Sequence, residues 1–379
     1  MTLRNSGDTG DADSGAPSAP ENGRLAPSVL ALTPAQTEAA LATLGGRPFH
    51  ARSLRRHVFE GRLDPATWTD LGKGLRAAIG ERLPPLCGAE VTRRAAPDGT
   101  MKLLTRFAAA PAMVAPDGSR TPARAGGSVE TVHIPSRRPD RGATVCTSTQ
   151  IGCPVRCPFC ASGKDGLVRG LAGHEILEQY VRARAIGPFA RTVVMGIGEP
   201  LLNWPALDFA LSAVRDEMGL GARRITVSTV GFPDRLRQLA PTRPGFQLAI
   251  SLHSPDDEQR WRLVPLMAGV PIEAVLDAGD HWFAATGREV TYEYVLLGGE
   301  NDSDGHARRL ADRLARRRAT VNLIPYNPVD GDPFRRPDES AVARFHEQLA
   351  ARGIVATVRW SRGLEAEAAC GQLRQRAGP

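Results

Sequence analysis

Apolar and polar residues alternate along this chain with two different periods. Between residues 33 and about 85, large apolar side chains recur near every 3.6 positions, which predicts a small helical domain. After residue 144, short apolar runs alternate with longer amphipathic segments, which predicts repeated strand–helix units. The predicted strands of these units are residues 144–149, 192–195, 225–229, 247–252, 290–297 and 320–324. The predicted helices are residues 174–185, 205–218, 234–239, 272–285 and 306–317.

Six consecutive strand–helix units predict an α/β fold whose parallel sheet curves into a partial (β/α)6 barrel. In such a barrel the loops after the carboxyl ends of the strands form the site, so residues at those ends become functional candidates. A helix at residues 339–351 and a strand at residues 355–360 follow the six units. Two further predicted strands, residues 101–107 and 129–134, precede them. They flank a segment rich in proline, alanine and glycine, residues 108–127, which predicts a surface loop.

These patterns divide the chain into five predicted parts. The first has hardly any large apolar residues, so it cannot bury enough surface to offset the entropy of ordering, and we expect it to be disordered. The parts are a disordered N-terminus at residues 1–30, a helical accessory domain at 31–90, a β-rich connection with a loop insertion at 91–143, the barrel at 144–365 and a C-terminal tail at 366–379.

The composition of the chain gives it a net positive charge. The 379 residues contain 48 Lys and Arg against 41 Asp and Glu, a formal net charge of +7. This charge favours a polyanionic partner such as RNA, although a GC-rich genome also produces an arginine-rich composition. Seven basic residues of the helical domain fit either phosphate contacts or a solvated face: Arg52, Arg55, Arg56, His57, Arg62, Lys73 and Arg76. A basic run at residues 308–318 fits a solvated outer barrel face better than an RNA contact.

Two other features concern the compartment. No run approaches eighteen apolar residues, so we expect no membrane contact. Half of the six cysteines lie in one short loop rather than in a scattered disulfide framework, which favours a reducing cytoplasm.

That loop carries the most informative residues of the chain, Cys153, Cys157 and Cys160. Three thiolates at this spacing can hold an iron–sulfur cluster and leave its fourth iron without a protein ligand. A structural zinc site is the alternative, but it requires four protein ligands, and the loop offers no fourth Cys or His. The spacing resembles the cluster motif of radical S-adenosylmethionine (SAM) enzymes, in which the open iron binds the methionine end of SAM.

A glycine-rich turn follows the second barrel strand, at residues 196–200 (GIGEP). It resembles the SAM amino-group site of radical SAM enzymes, with Gly198 and Glu199 at the cofactor. Polar residues at later strand ends face the same predicted barrel mouth, although each alone would also fit a turn or cap. These further candidate cofactor-binding residues are Ser228, Ser251, Leu252, His253 and Asn327.

Longer stretches resemble one family, the RlmN/Cfr-type RNA methyltransferases, from about residue 33 onward. They are residues 70–76 (DLGKGLR), 98–102 (DGTMK), 146–153 (CTSTQIGC), 198–203 (GEPLLN), 225–229 (ITVST), 249–253 (AISLH), 322–328 (NLIPYNP) and 368–373 (AACGQL). The most specific of these carries Cys370, because radical SAM enzymes in general have no such tail cysteine. The chain departs from the family at residues 159–163 (FCASG, usually FCATG) and at 135–142, where it is longer and more basic.

The resemblance implies methylation of carbon 2 or carbon 8 of an adenosine in structured RNA, with 23S ribosomal RNA as the first expectation and transfer RNA as the second. It implies that Cys370 carries the methyl group, that Cys146 releases the product by a disulfide with Cys370, and that Glu130 accepts a proton. It also implies one [4Fe–4S] cluster, two SAM molecules per turnover and an external electron donor such as a flavodoxin or ferredoxin system. We expect a monomer.

Two other classes of function compete with this hypothesis. One is a radical SAM enzyme acting on a peptide or small molecule, and the other is a non-catalytic iron–sulfur protein that binds RNA. The pair Cys146 and Cys370 argues against both, because a methyl relay has no purpose in a binding protein and suits an unreactive aromatic carbon.

Overall fold

The computed structural model describes residues 24–109, 113–114, 120–121, 124–138, 141–329 and 331–373. The helical pattern predicted for residues 33–85 is confirmed, as helices α1 (Pro34–Ala42), α2 (Pro48–Phe59) and α3 (Lys73–Arg82). Helix α1 begins in a capping box, in which the Thr33 hydroxyl accepts from the Gln36 backbone NH and the Gln36 side chain accepts from the Thr33 backbone NH. One face of α2 is fully buried at Leu54 and Val58.

The disorder predicted for residues 1–30 is wrong for residues 24–30, and residues 1–23 lie outside the described residues. The Leu25 NH donates to the Arg82 carbonyl at 2.7 Å, and the Val29 NH donates to the Pro84 carbonyl at 2.9 Å. Val29 and Leu30 are buried against the helices. The composition of the first thirty residues is polar on average, although a short apolar run lies at their end. Burial of this run is enough to fix the chain against the end of α3.

Ten of the described strands form one sheet, in the order β1-β2-β5-β6-β9-β10-β11-β12-β13-β14. The first four, paired antiparallel, are β1 (Ala89–Ala95), β2 (Met101–Phe107), β5 (Gly127–Ile134) and β6 (Ala143–Cys146). The others, paired parallel after β6, are β9 (Phe189–Val194), β10 (Ile225–Thr229), β11 (Gln247–Ser251), β12 (Val290–Leu296), β13 (Ala319–Pro325) and β14 (Ala356–Val358). The six predicted barrel strands are thus neighbours in chain order, which confirms the partial barrel.

Seven helices follow these strands in the described barrel region. They are α4 (Gly173–Ile186), α5 (Trp204–Met218), α6 (Pro233–Leu239), α7 (Asp257–Leu263), α8 (Ile272–Thr286), α9 (Asp304–Leu314) and α10 (Glu339–Ala350). The helical domain packs on two of them, because α2 contacts both α4 and α5. The Arg55 Nε donates to the Glu217 carboxylate on α5 at 2.8 Å. No helix in the described ranges carries an apolar stretch long enough to span a lipid bilayer.

Two small hairpins complete the described strands. Strands β3 (Met113–Val114) and β4 (Arg120–Thr121) pair inside the predicted loop insertion, most of whose remaining residues lie outside the described part of the chain. Strands β7 (Gln150–Gly152) and β8 (Leu167–Gly170) flank the three-cysteine loop. The strand predicted for residues 144–149 therefore ends early, at Cys146, so that the chain can turn into β7.

Two elements escaped the sequence patterns. Strand β1 is mostly exposed and has one large apolar residue, Val91, so it lacks the alternation of a half-buried strand. Helix α7 has seven residues, too few for a clear 3.6-residue period.

The basic run at residues 308–318 packs against neighbouring barrel elements. Arg309 binds the Asp256 carboxylate at 2.7 Å, and Arg317 on the turn after α9 binds three carboxylates of α8. These ion pairs hold adjacent outer helices together, which favours the solvated outer face over an RNA contact.

Candidate active site

The β7–β8 hairpin presents Cys153, Cys157 and Cys160 in one tight loop. The Cys153 NH donates to the Gly166 carbonyl at 2.9 Å, and the Cys160 NH donates to the Cys157 carbonyl at 3.1 Å. Gly152 has a φ of +73°, and a Cβ there would overlap the Gly166 carbonyl oxygen, so the loop requires glycine at this position. The result is that all three thiols line one cavity at the carboxyl ends of the barrel strands.

This cavity, called here the cofactor cavity, collects most of the predicted site residues. Its lining includes Cys153, Cys157, Cys160, Gly198, Glu199, Ser228, Ser251, His253, Asn327 and Cys370. Residues separated by more than 200 positions in the sequence therefore line the same cavity, as expected for the mouth of a barrel.

The electrostatics of the three thiols fit a metal cluster. Burial raises the pKa of Cys153 to about 12 and raises the pKa values of Cys157 and Cys160, and the thiols further disfavour each other's ionisation. Three thiolates there require positive charge, which iron supplies. Among the described residues, no group of three or more His, Cys, Asp or Glu side chains is arranged around one metal ion. A [4Fe–4S] cluster does not require such convergence, since each cysteine binds a different iron.

Glu199 ties the glycine-rich turn to the end of β10. Its carboxylate accepts from the Leu201 NH at 2.9 Å, the Thr229 hydroxyl at 2.6 Å and the Val230 NH at 2.9 Å. Burial raises the pKa of Glu199, and these three donors oppose that shift. The carboxylate thus organises the turn and keeps acceptor capacity for a cofactor ammonium. Gly198, at a φ of +111°, lies so close to Gln150 that a Cβ would collide with it.

Ser228, Ser251 and His253 bring hydroxyl and imidazole groups to the cavity wall. The two serine hydroxyls lie 3.4 Å apart. The His253 Nδ1 accepts from the Val295 NH at 3.1 Å, and burial, with the nearby Arg260 charge, lowers the pKa of His253 to about 3. The imidazole is therefore neutral, and its Nε2–H is the donor available to a ligand.

Three predicted site residues do not line the cofactor cavity: Leu252, Glu130 and Cys146, of which Cys146 lines a second cavity. Leu252 is fully buried, and its backbone NH donates to the Glu293 carbonyl. Glu130 is buried on β5, where its carboxylate forms an ion pair with Lys102 at 2.9 Å. Lys102 also donates to the Glu367 carbonyl at 3.1 Å, so this buried pair contacts the C-terminal tail instead.

Two charged residues at or behind the wall of the cofactor cavity were not predicted from the sequence. Arg260 on α7 is fully buried beside Cys157; its Nη2 donates to the Val230 carbonyl at 2.7 Å, while Nε and Nη1 have no acceptor among the described residues. Burial lowers the pKa of Arg260 to about 10. Glu293 lines the cavity from β12 and accepts from the Asn322 amide at 2.8 Å. An acidic residue inside an apolar strand was the available signal for Glu293.

The tail that carries Cys370 is fastened across the cofactor cavity. The Asn327 amide donates to the Cys370 carbonyl at 3.0 Å, and the Ala161 NH, beside the cysteine loop, donates to the Gly371 carbonyl at 2.8 Å. The Ser162 hydroxyl donates to the Leu373 carbonyl at 2.9 Å. Asn327 thus positions the tail, and Cys370 is held near the three-cysteine loop.

A second cavity of about 350 Å³ lies beyond the tail and is called here the outer cavity. Cys146, at the end of β6, and Cys370 both line it, and Cys370 also lines the cofactor cavity. Both cysteines are free thiols. Burial, reinforced by Cys370, raises the pKa of Cys146 to about 12. Arg359 lines the same wall, and Cys370 raises the pKa of this guanidinium.

The chain is similar to several known proteins. Residues 147–311 match the family model of the Radical SAM superfamily, a range that includes the three-cysteine loop and the glycine-rich turn. The chain is 43% identical over 341 residues to the probable dual-specificity RNA methyltransferase RlmN of Rhodopirellula baltica, which covers 88% of this chain and 87% of that protein. It is 40% identical over 364 residues to the protein of the same name from Parasynechococcus marenigrum, covering 92% and 98%.

A solved structure is also similar over most of the chain. It is the crystal structure of a radical SAM methyltransferase from Sphaerobacter thermophilus, with a TM-score of 0.81 and 41% sequence identity. The match covers 92% of this chain and 99% of that one, so it includes the helical domain as well as the barrel.

Proposed function

Because this chain belongs to the RlmN family of radical SAM RNA methyltransferases, we propose that it methylates carbon 2 of an adenosine in structured RNA, with carbon 8 as the alternative position. We propose 23S ribosomal RNA as the first substrate and transfer RNA as the second, and the dual specificity in the names of the relatives supports two RNA targets.

One observation carries the proposal: Cys370 lines both the cofactor cavity and the outer cavity, and Cys146 lines the outer one. A single thiol at this junction can receive a methyl group on one side and present it to a base on the other. A binding protein needs no such junction, and a radical SAM enzyme acting on a small molecule needs no second thiol beside it.

In this proposal the Cys370 sulfur accepts a methyl group from one SAM molecule and becomes S-methylcysteine. When bound, the [4Fe–4S] cluster and a second SAM molecule supply the radical that removes a hydrogen atom from this methyl group, with an external flavodoxin or ferredoxin system as electron source. The methylene carbon of Cys370 then bonds to the adenine ring, which joins protein and RNA covalently. The adduct radical gives up one electron to the same electron-transfer system and loses the proton of the substituted ring carbon.

Cys146 resolves this adduct. Its thiolate attacks the Cys370 sulfur, and the bond between that sulfur and the methylene carbon breaks. The carbon keeps the bonding electron pair and takes up a proton to become the methyl group, while a disulfide forms that an external reductant later opens. Glu130 is the proposed acceptor of the proton that leaves the adenine carbon. Its ion pair with Lys102, which also holds the tail at Glu367, supports a role for Glu130 close to Cys370.

The helical domain offers RNA fewer free charges than its composition suggests. Arg55 is paired with Glu217, Arg56 and His57 with Asp70, and Arg62 with Glu60. Arg52 and Lys73 are exposed and form no ion pair among the described residues, so we propose these two as the backbone contacts of this domain.

The test of the proposed function is the methylated-adenosine content of RNA. In a strain without this gene, we expect 2-methyladenosine to disappear from ribosomal RNA, and to return with the wild-type gene but not with Cys370→Ala. Mass spectrometry of nucleosides from separated ribosomal and transfer RNA measures both. Cys87→Ser is the matched control, because Cys87 lies outside both cavities and its thiol donates a hydrogen bond to the Glu178 carboxylate. Loss of 8-methyladenosine instead would assign carbon 8, and unchanged methyladenosine in both RNAs would refute the function.

The raised pKa of Cys146 predicts how product release depends on pH. A thiol with a pKa of about 12 is almost wholly protonated at pH 7, and its thiolate fraction increases about tenfold with each pH unit below that pKa. In single-turnover experiments at pH 7, 8 and 9, release of methylated RNA from the adduct should therefore accelerate steeply. Formation of the adduct, measured in the same quenched samples, is the reference step. A release rate that stays flat over this range would contradict a buried, protonated Cys146.

A further inference from the structure

The outer cavity has an unusual charge. Five arginines line it, Arg137, Arg141, Arg191, Arg359 and Arg362, and none of its described lining residues is an aspartate or glutamate. Five cations around one space repel each other unless an anion is present.

Only one of the five arginines forms an ion pair among the described residues, and the pKa of a second, Arg359, is raised by Cys370 and also by the nearby Glu293 carboxylate. Arg362 is paired with Asp98, at 2.9 Å between its Nε and the carboxylate. The other four form no ion pair among the described residues, whereas Arg55, Arg309 and Arg317 elsewhere in the molecule are all paired. Unpaired positive charge from several arginines therefore meets at this one cavity, in addition to single unpaired arginines elsewhere on the described surface, such as Arg308.

These cations come from separate segments that the sheet brings together. Arg137 and Arg141 lie on the loop leading into β6. Arg191 lies on β9, where it pairs with Thr144 of β6, and Arg359 follows β14. The first three are exposed and Arg359 is half-buried beside the two thiols. The cavity therefore has a charged rim and a thiol floor.

Size and the remaining lining identify the kind of anion. A volume of about 350 Å³ is at the lower end of small-ligand cavities (~300–1,000 Å³), which suits one nucleotide but not a duplex. Apolar side chains on the wall, Met195 and Leu373 among them, suit a base. Trp360 on the rim is 43% exposed, with the Arg336 guanidinium 5.6 Å from its ring centre, so one ring face is available for stacking.

We propose that Arg137, Arg141 and Arg191, at the rim of the outer cavity, hold the phosphates on either side of the target nucleotide, and that Trp360 stacks on a flanking base. This inference rests on the proposed function, since it takes RNA as the substrate. Phosphate contacts of this kind carry no sequence information, so they serve to orient any RNA whose target base can leave its stack.

The test is the combined variant Arg137→Gln/Arg141→Gln/Arg191→Gln, with Arg308→Gln/Arg316→Gln/Arg318→Gln as the control. The control removes the same charge from exposed arginines of the outer barrel face. Affinity for a stem–loop RNA with one unpaired adenosine is measured at several salt concentrations. The rim variant should bind at least about tenfold more weakly, because each charge-assisted hydrogen bond is strong. The slope of log affinity against log salt should fall by about two, at ~0.7 for each single-strand phosphate.

Two readouts separate this inference from the proposed function. Methylation of Cys370 and cleavage of SAM without RNA should stay at wild-type levels in the rim variant. Wild-type affinity and salt slope in that variant, or an equal loss in the control, would overturn the phosphate assignment while RNA methylation by the wild type stands. No RNA binding by the wild type would instead refute the function.

Trp360 provides an independent arm. Trp360→Ala should weaken binding of the same RNA several-fold, and Trp360→Phe should restore most of it, because any aromatic face stacks on a base. Placing abasic sites beside the target should abolish the difference between these two variants. A difference that persists on abasic RNA would overturn the stacking role.

Discussion

Cys146→Ala protein should remain covalently attached to RNA, whereas Cys370→Ala protein should carry neither a methyl group nor RNA. The two cysteines line one cavity, but they act at different stages of the proposed reaction. Removal of the thiol that accepts the methyl group stops the first step. Removal of the resolving thiol leaves every earlier step intact and strands the adduct.

Denaturing gels after expression measure this asymmetry directly. We expect a nuclease-sensitive shift of most of the Cys146→Ala protein, and none for Cys370→Ala or for the Cys146→Ala/Cys370→Ala double variant. Peptide mass spectrometry of the unshifted fraction of the Cys146 variant should find S-methylcysteine at position 370. Identical behaviour of the two single variants, or methylated RNA from Cys370→Ala, would exclude the relay and favour the small-molecule alternative.

The second large effect concerns the three-cysteine loop. Changing Cys153, Cys157 or Cys160 singly to Ala should reduce SAM cleavage to background, because each thiolate is expected to hold a different iron of the same cluster. Iron content and the electron paramagnetic resonance signal of the reduced protein should fall together with the yield of deoxyadenosine.

Cys87→Ser is the control for this series, because Cys87 lies outside both cavities and its thiol donates to Glu178 at 3.3 Å. It should retain about four irons per chain and wild-type cleavage. Stoichiometric zinc in the wild-type protein, or deoxyadenosine formation by the triple cysteine variant, would contradict the cluster assignment.

The tail shows how the two effects are connected. The backbone carbonyls of Cys370 and of the next residue, Gly371, accept from Asn327 and Ala161, and Ala161 directly follows the proposed cluster ligand Cys160. A disturbed cluster loop should therefore also displace Cys370. For this reason iron content is measured in every variant, so that loss of the cluster is separated from loss of the methyl carrier.

The sequence by itself determined the elements and the chemistry that depend on local order. The period of apolar residues gave the six barrel strands and most helices, because burial of one face repeats regularly along a strand or helix. The three cysteines of the loop, at positions 153, 157 and 160, are close in sequence, so their spacing alone indicated a common ligand. Average composition over a segment gave the wrong prediction where burial of a few residues determines whether the chain is ordered. Val29 and Leu30, in the segment expected to be disordered, are the example.

Only the tertiary structure decided how distant residues meet. Cys146 and Cys370 are 224 positions apart, and no sequence period relates them; the sheet and the fastened tail place them on one cavity. The same holds for Arg260 and for the unpaired arginines of the outer cavity. The sequence does not show whether an arginine is paired with a carboxylate in the folded protein. Pairing and burial are set by long-range packing, and they decide which charges remain free to bind a ligand.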